Sequence, residues 1–112
     1  MNTKKLIKDA KARFNHNSSK NYLRDKYKSK LIFAYGGGLW TSSPELISML
    51  SNYPREALVL IDNHDNPLLV GREKLLENAI NVYESVMQEY LLEYTELQNK
   101  RWVKVYYFLP LI

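Results

Sequence analysis

Apolar residues recur along this chain at two different periods, and the period changes where glycine and proline intervene. Residues 3–14 place Leu6, Ile7, Ala10 and Phe14 on one helical face with bases around the rest, the spacing of a short amphipathic helix. The Asn15-His16-Asn17-Ser18-Ser19 cluster reads as a break, after which Ser18 or Ser19 caps a second short helix over 20–28. Leu31–Tyr35 is a compact apolar run suited to a buried strand, and Gly36-Gly37-Gly38 permits the positive φ of a hairpin turn, or a bulge, before Leu39–Thr41. Ser42 or Ser43 then caps a helix: Pro44 needs no N–H in the first turn, Glu45 meets the positive end of the dipole, and Leu46, Ile47 and Leu50 give a buried face. Asn52-Tyr53-Pro54 ends it.

Ala57–Ile61 and Leu68–Val70 are apolar runs separated by Asp62-Asn63-His64-Asp65-Asn66-Pro67, nearly all turn formers, and predict a hairpin with a polar tip. From Arg72 to Arg101 there is no Gly or Pro, and Leu76, Ile80, Tyr83, Met87, Tyr90, Tyr94 and Leu97 recur at alternating spacings of four and three, a heptad rhythm. A second stripe, Leu75, Ala79, Val82 and Val86, widens the apolar face only in the first half. That half should pack on the sheet, while the later seam of Met87, Tyr90, Tyr94 and Leu97 suits a partner helix. Trp102–Leu109 alternates around Lys104 and reads as a strand, followed by Pro110-Leu111-Ile112. The expected fold is α+β: a small, mainly antiparallel sheet over about 31–41, 57–62 and 67–70, with 102–108 as a further strand, covered by one short and one long C-terminal helix. A basic helical arm over 1–30 precedes this 31–101 domain, and 102–112 form an apolar tail.

Charge is sorted by position. Residues 1–30 carry ten bases (Lys4, Lys5, Lys8, Lys11, Arg13, Lys20, Arg24, Lys26, Lys28 and Lys30) against Asp9 and Asp25, a balance of +8. Residues 31–112 carry six bases against ten acids, a balance of −4. A basic arm on an acidic body points to a polyanionic or acidic partner. Lys4, Lys5, Lys8, Lys11, Arg13, Lys20, Arg24, Lys26 and Lys28 are the candidate polyanion contacts, with Phe14, Tyr22 and Tyr27 available to stack on bases or to anchor the arm. The chain has no Cys, hence no disulfide framework, thiolate nucleophile or Cys-based metal site. Its apolar runs are far too short for a bilayer span, and the basic N-terminus lacks the apolar stretch of a signal peptide, so a soluble protein without a membrane partner is expected.

Catalytic patterns are weak. The triple glycine is followed by neither G-x-G-x-x-G spacing nor Gly-Lys-Ser/Thr, and a turn explains it better than a phosphate cradle. Asp62, His64, Asp65 and Asn66 crowd one loop, but Pro67 stands where a calcium loop wants Gly, and Asx-turn chemistry accounts for the same residues. No strained elbow surrounds Ser42 or Ser43. Neither an enzyme nor a cofactor is expected.

Phe33-Ala34-Tyr35-Gly36-Gly37-Gly38-Leu39-Trp40, Ser43-Pro44-Glu45-Leu46, Leu60-Ile61-Asp62, Asn66-Pro67 and the long helix through Lys100-Arg101 together resemble small uncharacterised proteins of contractile-tailed bacteriophages, over about residues 30–101. The resemblance implies a virion or assembly component, in the virion or the host cytoplasm, and supplies no catalytic residue. The expected work is therefore assembly with other protein subunits, as a homo- or hetero-oligomer. Contact would run through the helix seam and through Trp102, Tyr106 and Phe108 of the tail, with the arm gripping an acidic protein or nucleic acid. A small nucleic-acid-binding regulator is the alternative.

Overall fold

A computed structural model describes the backbone of residues 3–108 and the side chains of residues 3–100. The element order is α1 (Thr3–Lys30), β1 (Ile32–Tyr35), β2 (Gly38–Thr41), α2 (Pro44–Asn52), β3 (Ala57–Ile61), β4 (Pro67–Gly71) and α3 (Arg72–Phe108). The α+β class is the expected one. The chain divides into two compact units, one of residues 27–88 and one of residues 1–26 with 89–112. Each long helix contributes to both units.

In the 27–88 unit the strands form two separate antiparallel hairpins rather than one sheet. β1 and β2 are joined by Gly36 and Gly37, with φ of +61° and +82°, the left-handed pair that a two-residue turn of matching twist requires. Leu31 and Ser42 extend that ladder through a bond from the Ser42 N–H to the Leu31 carbonyl at 2.9 Å. α2 begins as its sequence demands: the Ser43 hydroxyl accepts from the Leu46 N–H at 3.1 Å and Pro44 occupies the first turn. β3 and β4 pair from Ala57–Gly71 to Ile61–Pro67.

The core gathers Trp40, Leu50, Leu58, Val70 and Leu75, with Phe33, Tyr35, Leu46, Leu60 and Leu68 packed around it. Three polar bonds pin the elements. The Trp40 indole N–H donates to the Tyr35 carbonyl at 2.9 Å. The buried Ser42 hydroxyl donates to the Ala79 carbonyl of α3 at 2.6 Å, and the Arg72 guanidinium donates to the Leu50 carbonyl near the end of α2 at 3.1 Å. Of the two stripes on α3, Leu75, Ala79 and Val86 are the buried one, and Met87 is exposed.

Two expected elements are corrected. The break at 15–19 does not form; α1 runs unbroken from Thr3 to Lys30. Asn and Ser lower helix stability by only a few tenths of a kcal/mol each, about 0.7 at most, and no Gly or Pro lies in 3–30 to stop propagation. The strand over 102–108 does not form either, because the backbone continues α3 to Phe108. With no Gly or Pro before Pro110, nothing ends the helix, and apolar residues around one lysine suit a helix as well as a strand. The side chains of Trp102, Tyr106 and Phe108 lie outside the described ones.

Candidate interaction site

The helical unit, residues 1–26 and 89–112, carries most of the expected contact residues. Lys26 meets Glu93 while Ser18 and Ser19 share a groove with Lys100, so α1 and α3 run antiparallel here. The Lys26 ammonium donates to the Glu93 carboxylate at 2.7 Å, and this bond holds the Lys26 pKa above its ordinary value. Lys20 places its ammonium 5.9 Å from the centre of the Tyr94 ring, within cation–π range. Tyr94 also accepts from the Gln98 amide at 2.7 Å.

The seam is therefore partly occupied by the chain's own α1. Tyr90, Tyr94 and Leu97 are half-buried, and Leu97 lines an open groove of about 550 Å³ together with Ser18, Tyr22, Leu23 and Glu96. Met87 alone of the four faces solvent, at 37% exposure.

The bases divide accordingly. Lys20 and Lys26 serve α3, whereas Lys4, Lys5, Lys8, Lys11 and Arg13 are exposed along the first three turns of α1, and Arg24 and Lys28 are exposed further on. The first turn of α1 carries no acid to oppose them. Of the three aromatics proposed to stack or anchor, Tyr27 is buried at 2% exposure, while Phe14 and Tyr22 stand out at 70% and 68%. The stripe of Leu6, Ile7, Ala10 and Phe14 is wholly exposed, and the inward face of α1 is instead marked by Leu23 and Tyr27. These two are four residues apart, as one face of a helix requires.

A surface of another kind lies on the β3–β4 hairpin. Leu58, Leu60, Leu68 and Val70 turn inward, yet the outward positions Val59, Ile61 and Leu69 are apolar as well and exposed. The signal was present in the sequence: five consecutive apolar residues without alternation are the mark of a strand covered on both faces.

The acidic loop that invited a cation is a structural hub. The Asp62 carboxylate accepts from the N–H groups of Asn66 at 2.9 Å, His64 at 3.0 Å and Leu39 at 3.3 Å. The bond from Asn66, followed by those from Leu39 and His64, pulls its pKa below the ordinary carboxylate value against the opposing effect of burial. Among the described residues, no three His, Asp or Glu side chains are grouped to hold a metal ion. No helix among them is long and apolar enough to cross a membrane. Comparison of the chain with family models, with curated proteins and with solved structures finds no match in any of the three.

Proposed function

We propose that this protein is a non-enzymatic assembly component, of the kind found in contractile-tailed phages, whose helical unit docks on other subunits while α1 grips an acidic partner. The observation that carries the reading is the exposed first half of α1, where five bases flank an uncovered stripe of Leu6, Ile7 and Phe14. Lysines alone are commonly just solvated, and apolar residues alone are commonly core; side by side on one exposed helix they match a partner with acidic rims around an apolar groove. Met87, Leu91 and Leu92 add exposed apolar contacts on α3.

The same five bases also favour a second reading, a regulator that neutralises nucleic-acid phosphates. Fluorescence anisotropy with two labelled probes, polyglutamate and a duplex DNA, separates the two. An assembly component binds polyglutamate at least as tightly as the duplex, whereas a regulator strongly prefers the duplex. Failure to bind either at low salt overturns both readings.

A further inference from the structure

We infer that the first half of α1, residues 3–14, is a charge-controlled folding switch: its helix is completed when its bases are neutralised, so that, on the reading of α1 as the part that grips an acidic partner, the partner also orders it. Every side chain over 3–15 is exposed, so tertiary packing contributes little to this stretch. The second half of α1 is anchored instead. Leu23 and Tyr27 are buried, the Lys26 ammonium donates to Glu93, and Lys20 lies over the Tyr94 ring. A helix of about a dozen residues without packing is marginal in water, and here it forms as an extension of the anchored half.

Two features hold that extension in balance. It must propagate through Asn15-His16-Asn17-Ser18-Ser19, five consecutive residues that are each poorer helix formers than Ala, Lys or Leu. Its own charges also oppose it. Lys4 and Lys5 stand in the first turn, at the positive end of the helix dipole, and no acid is there to offset them. Lys8 repels Lys4 four residues before it and Lys11 three residues after it, while Asp9, the one acid of the segment, relieves part of this strain through Lys5 and Arg13. Helical order in turn decides what the segment can hold. Ile7, Ala10 and Phe14 follow the i, i+3, i+7 spacing of helix-in-groove anchors, and they share one face only while 3–14 is helical. An anion at these bases removes the repulsion, and a partner that holds the helical form better than the unwound one shifts the balance by that difference.

Hydrogen exchange of the full chain, read as protection factors in about 20 mM salt, tests the switch. Without ligand, the amides of 7–14 should be at least about tenfold less protected than those of 22–30, and saturating polyglutamate should raise them about fivefold or more while 22–30 stay unchanged. Sodium chloride at about 0.5 M should also raise them with no ligand present, because screening weakens both the dipole effect and the repulsion. Asn15→Ala with Asn17→Ala repairs the weak joint without touching a base. It should protect 7–14 in low salt and tighten polyglutamate binding about threefold or more, since less of the chain has to be ordered on binding. Protection of 7–14 equal to that of 22–30 in low salt, or protection that neither polyglutamate nor salt raises, overturns the inference. Where polyglutamate binds, a double variant that holds it no tighter than wild type overturns it too. If polyglutamate fails to bind while salt alone still orders 7–14, the switch stands and the acidic-partner reading falls.

Discussion

A methyl group placed on Gly38 would stand 3.1 Å from both Cβ and Oδ2 of Asp62, and 2.5 Å from Cδ1 of Leu68. The two hairpins of the 27–88 unit meet at this point, backbone against carboxylate. The Asp62 carboxylate takes the Leu39 N–H, and the Asn63 N–H donates back to the Leu39 carbonyl at 2.8 Å. Gly38→Ala should therefore act as overpacking and cost about 1–3 kcal/mol. Urea unfolding should show a lower midpoint with an unchanged slope.

Asp62 gives the unit an acid limit. Its pKa is depressed in the folded state, so its contribution is fully present above the unfolded value of about 3.9 and is lost as pH falls through the lower folded value. Asp62→Asn should melt lower than wild type at pH 7, and the gap between them should narrow below about pH 4. Melting curves across that range check it; a gap that stays constant contradicts the carboxylate's role.

Ser42 and Ser43 are neighbours with different work. Ser43→Ala removes a helix cap and should cost about 1 kcal/mol. Ser42→Ala removes the hydroxyl that ties β2 to α3 through the Ala79 carbonyl, and the net worth of such a bond is about 0.5–1.5 kcal/mol. The two hydroxyls have different partners but sit on adjacent residues, so the double variant should depart from the sum by the coupling that neighbours show. Denaturant titration of the four proteins measures this directly.

On α1 the structure distinguishes two apolar faces that the sequence presents alike. Leu23 is 8% exposed and Phe14 is 70% exposed. Leu23→Ala should cost about 2–5 kcal/mol, whereas Phe14→Ala should stay within about 0.5 kcal/mol. Loss of helical circular dichroism on heating reports both.

Local chemistry was legible in the sequence, and long-range packing was not. Turn chemistry is local, so the Gly36-Gly37 turn, the Ser43-Pro44 helix start and the Asp62–Pro67 loop could be read from a few adjacent residues. Helix continuity through Asn15–Ser19 could not, because those residues weaken a helix without forbidding it, and length and packing decide. The 102–108 segment failed for a related reason: an apolar run around a single Lys104 has no period that separates strand from helix. On α3, two adjacent stripes differ by one residue, and only packing shows that Leu75, Ala79 and Val86 turn inward while Met87 does not. Of the candidate contacts, the exposed bases were legible from charge alone. That Lys20 and Lys26 are drawn to Tyr94 and Glu93 was not, since those pairs join residues about seventy positions apart in the sequence.

If the exposed lysines of α1 drive association with a polyanion, binding must weaken as salt rises. For a duplex DNA, neutralising five or six phosphates gives a log–log slope of about −5, and each lysine removed should flatten it by about 0.9. Replacing Lys4, Lys5, Lys8 and Lys11 by Gln should bring the slope to roughly −1 to −2 and weaken polyglutamate binding in parallel. A wild-type affinity that does not change with salt, or a variant whose slope and affinity equal those of wild type, would contradict it.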